Sequence, residues 1–115
     1  MHAALDRAAA GDVVVLEAGN HSGPVLIEKS ITLEGAPGAV LTGPGRGSVV
    51  TVVSPGSVVR GLTVRGSGRD LEAMDAGVFV KQSATGAVVE GNRIEGNLYG
   101  IYLHGAEDSV ARDNI

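Results

Sequence analysis

Apolar residues recur along this chain in short runs, each broken within a few positions by glycine, asparagine, aspartate or serine. Runs such as Val13–Leu16, Val25–Ile27 and 31–33 have the length and the β-branched content of strands, and the segments 19–23 and 35–38 read as turns between them. Only the start differs. Ala3, Ala4, Leu5, Ala8 and Ala9 fall at helical spacing and stop at Gly11, which predicts one short helix over residues 1–11 that caps a stack of strands over 12–115.

The short runs repeat. Gly77-Val78-Phe79-Val80-Lys81 returns as Gly100-Ile101-Tyr102-Leu103-His104, a spacing of about 22 residues, within the range of solenoid coils. Val59-Arg60-Gly61-Leu62-Thr63-Val64, Val89-Glu90-Gly91-Asn92-Arg93-Ile94 and Ala111-Arg112-Asp113-Asn114-Ile115 share a second pattern. Stacked strands joined by tight turns predict an all-β fold, a right-handed parallel β-helix with a short N-terminal capping helix, as a single domain over 1–115. In that register Val59, Val89 and Ala111 stack inside. Leu62, Asn92 and Asn114 share a bend, where buried amides form an asparagine ladder. Strand alternation sends Val78, Val80, Ile101 and Leu103 inward and turns Phe79 and Tyr102 outward, with Lys81 and His104 beside them. The segment 67–76 (SGRDLEAMDA) breaks the rhythm with about eight extra residues, and insertions in solenoids commonly carry binding.

Composition narrows the chemistry. With 18 glycines, one phenylalanine, two tyrosines and no tryptophan or cysteine, the core must be aliphatic, and disulfides and thiolate metal sites are excluded. A net charge of −4 with scattered arginines argues against nucleic acid as a partner. No stretch is long and apolar enough to cross a membrane as a helix, and the N-terminus lacks the basic, apolar and small-residue succession of a secretory signal. The last residues stop within a strand-like pattern, so the chain reads as cut inside a longer solenoid.

Several residues are candidates for chemistry. A soft Cu(I) ion takes thioether and imidazole donors, and the chain offers Met1, Met74, His2, His21 and His104, of which the repeat brings only Met74 and His104 near each other. Lyase chemistry on acidic sugars would draw on Asp70, Glu72 and Asp75 for a cation and on Arg69 or Arg93 for proton abstraction. Glycoside hydrolysis needs two carboxylates roughly 5–9.5 Å apart, for which Glu90 and Glu95 are the candidates. Each of these carboxylates also has an ordinary role as a solvated loop or surface group. No Ser/His/Asp arrangement can be assembled, and the glycine-rich segment 43–47 lacks the lysine and helix of a phosphate loop. No catalytic residue is assigned.

The segments Arg60-Gly61-Leu62-Thr63-Val64-Arg65-Gly66-Ser67-Gly68, Asp75-Ala76-Gly77-Val78-Phe79-Val80, Glu90-Gly91-Asn92-Arg93-Ile94-Glu95-Gly96-Asn97 and Tyr99-Gly100-Ile101-Tyr102-Leu103-His104-Gly105 together resemble the NosD family. The opening helix followed by GDVVVLEAGNHSGPVLIEKSITLEG extends the likeness over nearly the whole chain, and the inserted GSGRDLEAMDAGVF is its most specific part. The resemblance implies a non-enzymatic periplasmic β-helix that works with the membrane subunit of an ABC transporter in assembling the copper centres of nitrous oxide reductase. It also implies a copper chaperone and the reductase as partners and a transient contact with copper, for which Met74 and His104 are the expected ligands. A looser likeness to carbohydrate-binding and sugar-hydrolysing β-helices makes a polysaccharide-binding or polysaccharide-cleaving protein the alternative. A purely structural spacer is the third reading.

Overall fold

The computed structural model describes residues 2–105 and 107–115, and shows a β-helix of four complete coils. A short helix, α1 (His2–Arg7), precedes the first coil of β1 (Val13–Leu16), β2 (Gly19–Ser22) and β3 (Val25–Ile27). The second coil holds β4 (Thr32–Gly35), β5 (Ala39–Thr42) and β6 (Val50–Val52), and the third β7 (Val58–Arg60), β8 (Thr63–Arg65) and β9 (Ala76–Val80). The fourth holds β10 (Val88–Glu90), β11 (Arg93–Ile94) and β12 (Tyr99–Leu103), after which β13 (Val110–Arg112) starts a fifth. Every third strand pairs with the one before it, always parallel. Sheet A is β1-β4-β7-β10-β13, sheet B is β2-β5-β8-β11 and sheet C is β3-β6-β9-β12.

Register explains the aliphatic composition. One residue type recurs down each inward column, as in Val14–Leu33–Val59–Val89 of sheet A and Val25–Val50–Val78–Ile101 of sheet C. Leu33, Leu41, Val50, Val64, Val78 and Val80 are fully buried, so the interior is a column of branched side chains that needs no aromatic filler. Helix α1 lies over the first coil, where Leu5 and Ala8 meet the core and the Lys29 ammonium donates to the carbonyls of Asp6 and Ala8, both at 2.8 Å. The helix is shorter than the expected 1–11, because Gly11 takes a φ of +90° and its N–H has already turned to Ser30 O.

Two expectations are corrected. The segment 19–23 forms strand β2 over Gly19–Ser22 instead of a turn, because pairing with β5 satisfies its backbone. Ala111 stands in register above Val89 as expected, but it is exposed, since β13 lies at the end of the described stack. The asparagine ladder is present: Asn92 Oδ1 accepts from Leu62 N–H, Asn92 Nδ2 donates to Val59 O, and Asn114 Oδ1 accepts from both the Asn92 backbone and side chain. At the same corner, a Cβ on Gly35 would run into the Gly61 carbonyl of the next coil, so glycine is required for the coils to stack there.

Candidate functional site

The connections between sheets B and C set one flank of the molecule apart. Coil one makes this corner with Gly23 and Pro24 alone, and coil four with residues 95–98, whereas coils two and three use residues 43–49 and 66–75. The two long loops are neighbours. The 66–75 loop, which contains most of the expected insertion, is built on its own carboxylates. Asp70 Oδ1 accepts from the N–H groups of Glu72 and Ala73, and the buried Asp75 Oδ2 accepts from Asp70 N–H. Asp75 Oδ2 lies against Gly68, where any Cβ would collide with it. Ser48 of the shorter loop accepts from Ala76 N–H and ties the loops together. At the tip of the turn Met74 has a φ of +56°, a left-handed conformation that costs a side-chain-bearing residue energy and places Met74 against the face of sheet C.

Sheet C supplies the other wall. Its outward column runs Leu26–Thr51–Phe79–Tyr102. Phe79 and Tyr102 stack with ring centroids 5.3 Å apart and planes 13° from parallel, and Tyr99 meets Tyr102 edge-on. His104 stands edge-on to both stacked rings, 5.8 Å from Phe79 and 5.7 Å from Tyr102. Phe79 points outward as the alternation requires, yet is only 7% exposed, because Tyr102 covers one side of it and the loop closes over it. Loop and sheet enclose an open cleft of about 940 Å³, lined by Thr51, Glu72, Met74, Phe79, Lys81 and His104 among others. A smaller hollow of about 500 Å³ beside it is bordered by Arg46 and Arg69 and shares Gly47, Ala73 and Asp75 with the cleft.

Met74 and His104 therefore line one cleft, although they are 30 positions apart and come from different coils. Their donor set, a thioether and an imidazole beside an aromatic ring, has the chemistry a Cu(I) ion takes. The other soft-ligand candidates do not join them. His21 stands in the first coil at the head of the column His21–Leu41–Val64–Ile94, with Nε2 2.8 Å from Glu17 O. Met1 and the His2 side chain lie outside the described residues.

The carboxylate candidates are otherwise engaged. Asp70 and Asp75 hold the loop, Glu90 forms an ion pair with Arg112 at 2.7 Å, and Glu95 lies 3.5 Å from Arg93, the arginine considered as a lyase base. Among the described residues no three His, Asp or Glu side chains are grouped closely enough to hold a metal ion. The sequence reading missed the contribution of Ser48 and Thr51 from the preceding coil. The signal for it is the second interruption of the rhythm at residues 43–49, one coil below the insertion.

No protein-family model matches the chain. Among curated proteins it is 38% identical over 99 residues to the probable ABC transporter binding protein NosD of Pseudomonas aeruginosa PAO1, a match covering 86% of this chain and 23% of that protein. It is 37% identical over 93 residues to the protein of the same name from Stutzerimonas stutzeri, covering 81% of this chain and 21% of the relative. The chain thus spans about a quarter or less of the length of these relatives. Among solved structures it is similar to a pectin methylesterase in complex with a hexasaccharide, with a TM-score of 0.72 at 17% identity over 90% of this chain and 40% of that one, a likeness of fold. With parallel coils that match the expected register and sequence identity sustained over most of its own length, the chain is a homologue of the NosD proteins.

Proposed function

We propose that the protein carrying this chain is a non-enzymatic accessory component of an ABC-transporter system, acting in the periplasm in the assembly of the copper centres of nitrous oxide reductase. The observation that carries this reading is the 38% identity to NosD over 99 residues. The cleft supports it by its chemistry. Cu(I) supplies a soft centre that exchanges thioether and imidazole ligands readily, and Met74 and His104 are the residues of this chain that would hold it in passage. Met74 presents its thioether from a loop stapled by Asp70 and Asp75, while His104 is fixed between two ring edges. The copper chaperone, the reductase and the transporter's membrane subunit are the partners this reading assigns. The alternative of a polysaccharide-cleaving enzyme has less support, because the carboxylates it would use are paired with arginines or bonded to loop backbone.

The test is an anaerobic Cu(I) competition titration of the chain beside Met74→Ala and His104→Ala, with circular dichroism confirming that all three keep their β structure. The expected result is binding by the parent and a loss of at least about tenfold in each variant, as removal of one of two strong ligands implies. A folded parent that fails to compete for Cu(I) overturns copper handling by this cleft.

A further inference from the structure

The cleft holds one feature that two-ligand binding leaves unused. The Phe79 ring is covered on one side by Tyr102, its neighbour on β12, and its neighbour on the other side is Thr51 of β6. Threonine is too short to cover a ring, and Thr51 and Phe79 both line the cleft with Met74 and His104. The uncovered side of an aromatic ring thus opens where the thioether and the imidazole meet. Such a ring face carries negative quadrupolar charge and attracts a cation, most strongly one that has shed its water.

The surroundings also discriminate between cations. A hard divalent ion such as Ca²⁺ or Mg²⁺ needs several oxygen ligands. Here Asp70 Oδ1 and Asp75 Oδ2 accept from loop N–H groups, Glu72 is the remaining carboxylate of the cleft, and no three His, Asp or Glu side chains gather among the described residues. Lys81, without an ion pair among the described residues, adds a positive charge that repels a divalent ion more than a monovalent one.

We propose that the cleft is selective for a soft monovalent cation, held by Met74 and His104 with the Phe79 ring as a third, cation–π partner. The proposal rests on the copper reading of the same site and adds to it the ring and the selectivity. Tyr102 then acts as a positioning residue, since its stacking fixes the plane of Phe79 and its edge contact orients His104.

Ag(I), a soft monovalent ion that does not change oxidation state under these conditions, is the probe. Phe79 is the only phenylalanine of the chain, so 4-fluorophenylalanine labelling yields one ¹⁹F signal that reports on this ring alone. Titration of the parent with Ag(I) is expected to move that signal in step with binding, whereas Zn(II) and Ca(II) leave it unmoved at concentrations about a hundredfold higher. Phe79→Leu is expected to weaken Ag(I) binding by roughly 2- to 30-fold, the span of cation–π energies, and Phe79→Tyr to restore it. If the parent binds Ag(I), Met74→Ala and His104→Ala abolish binding and the ¹⁹F signal stays still, the ring has no part and only this proposal falls. Zn(II) or Ca(II) binding as tightly as Ag(I) overturns the selectivity. A folded parent that binds no Ag(I) overturns this proposal and the copper reading together. The ¹⁹F measurement on the parent decides the ring's role even if Phe79→Leu does not fold.

Discussion

The outer face of sheet A and the cleft beside sheet C are carried on the same coils, yet they dispose of their polar groups in opposite ways. On sheet A the column Glu34–Arg60–Glu90–Arg112 alternates in sign from coil to coil, with Arg60 bonded to Glu34 at 2.5 Å and Arg112 to Glu90 at 2.7 Å. The coils neutralise one another there. Around the cleft, Arg46, Arg69, Glu72 and Lys81 have no ion pair among the described residues, Met74 sits at a positive φ, and the loops of two coils exceed the repeat. In a solenoid the inward columns do the folding, so outward positions are free to vary. Where neighbouring coils match each other the face is closed, and where they do not it is open to a ligand.

The largest expected effect comes from breaking the matched side of this comparison at its bend. Asn92 is 2% exposed and satisfies Leu62 N–H, Val59 O and the Asn114 side chain. Asn92→Ala leaves two backbone groups buried without partners and is expected to cost about 3 kcal/mol in urea unfolding. Asn114→Ala, at the half-exposed end of the same ladder, is expected to cost about 1 kcal/mol, because water replaces what is lost. Asp75→Ala acts on the open side. It removes the acceptor for Asp70 N–H and is expected to cost about 1–2 kcal/mol, with limited proteolysis within residues 66–75 rising more than overall unfolding. Equal proteolysis of parent and variant would show that the loop is held by other contacts. Met74→Gly should separate the two roles of that residue: relief of the left-handed strain leaves stability within about 1 kcal/mol of the parent, and Ag(I) binding disappears.

How much of the fold and the cleft was legible in the sequence divides along the same line. The register of Val59 with Val89, the Asn92–Asn114 ladder and the pairing of 77–81 with 100–104 could be read because each depends on a residue meeting its own repeat one coil on. Met74 and His104 could be placed near each other by the same arithmetic. What could not be read was whatever depends on the path of a non-repeating loop: the use of Asp70 and Asp75 as loop staples, the tie from Ser48 to Ala76, and the near-complete burial of an outward Phe79. Strand β2 escaped for a related reason. Gly19-Asn20-His21-Ser22 has turn composition, and only its partner β5 makes it a strand.

The smallest predicted effect is the sharpest check on the idea that one face is matched and the other is not. Arg60 and Lys81 both stand on outward columns of the third coil and its exit, but only Arg60 faces carboxylates of the coils on either side, Glu34 and Glu90. The Arg60 and Glu34 side chains are 42% and 34% exposed, so solvent screens the pair and Arg60→Met is expected to cost no more than about 0.5–1 kcal/mol at low salt, shrinking as salt is raised. Lys81→Met removes a charge with no partner and is expected to leave stability unchanged at any ionic strength. It should instead tighten Ag(I) binding severalfold, because a like charge leaves the cleft. A salt-dependent loss of stability in both variants would mean that the cleft's charges also serve the fold, and the contrast between the two faces would then fail.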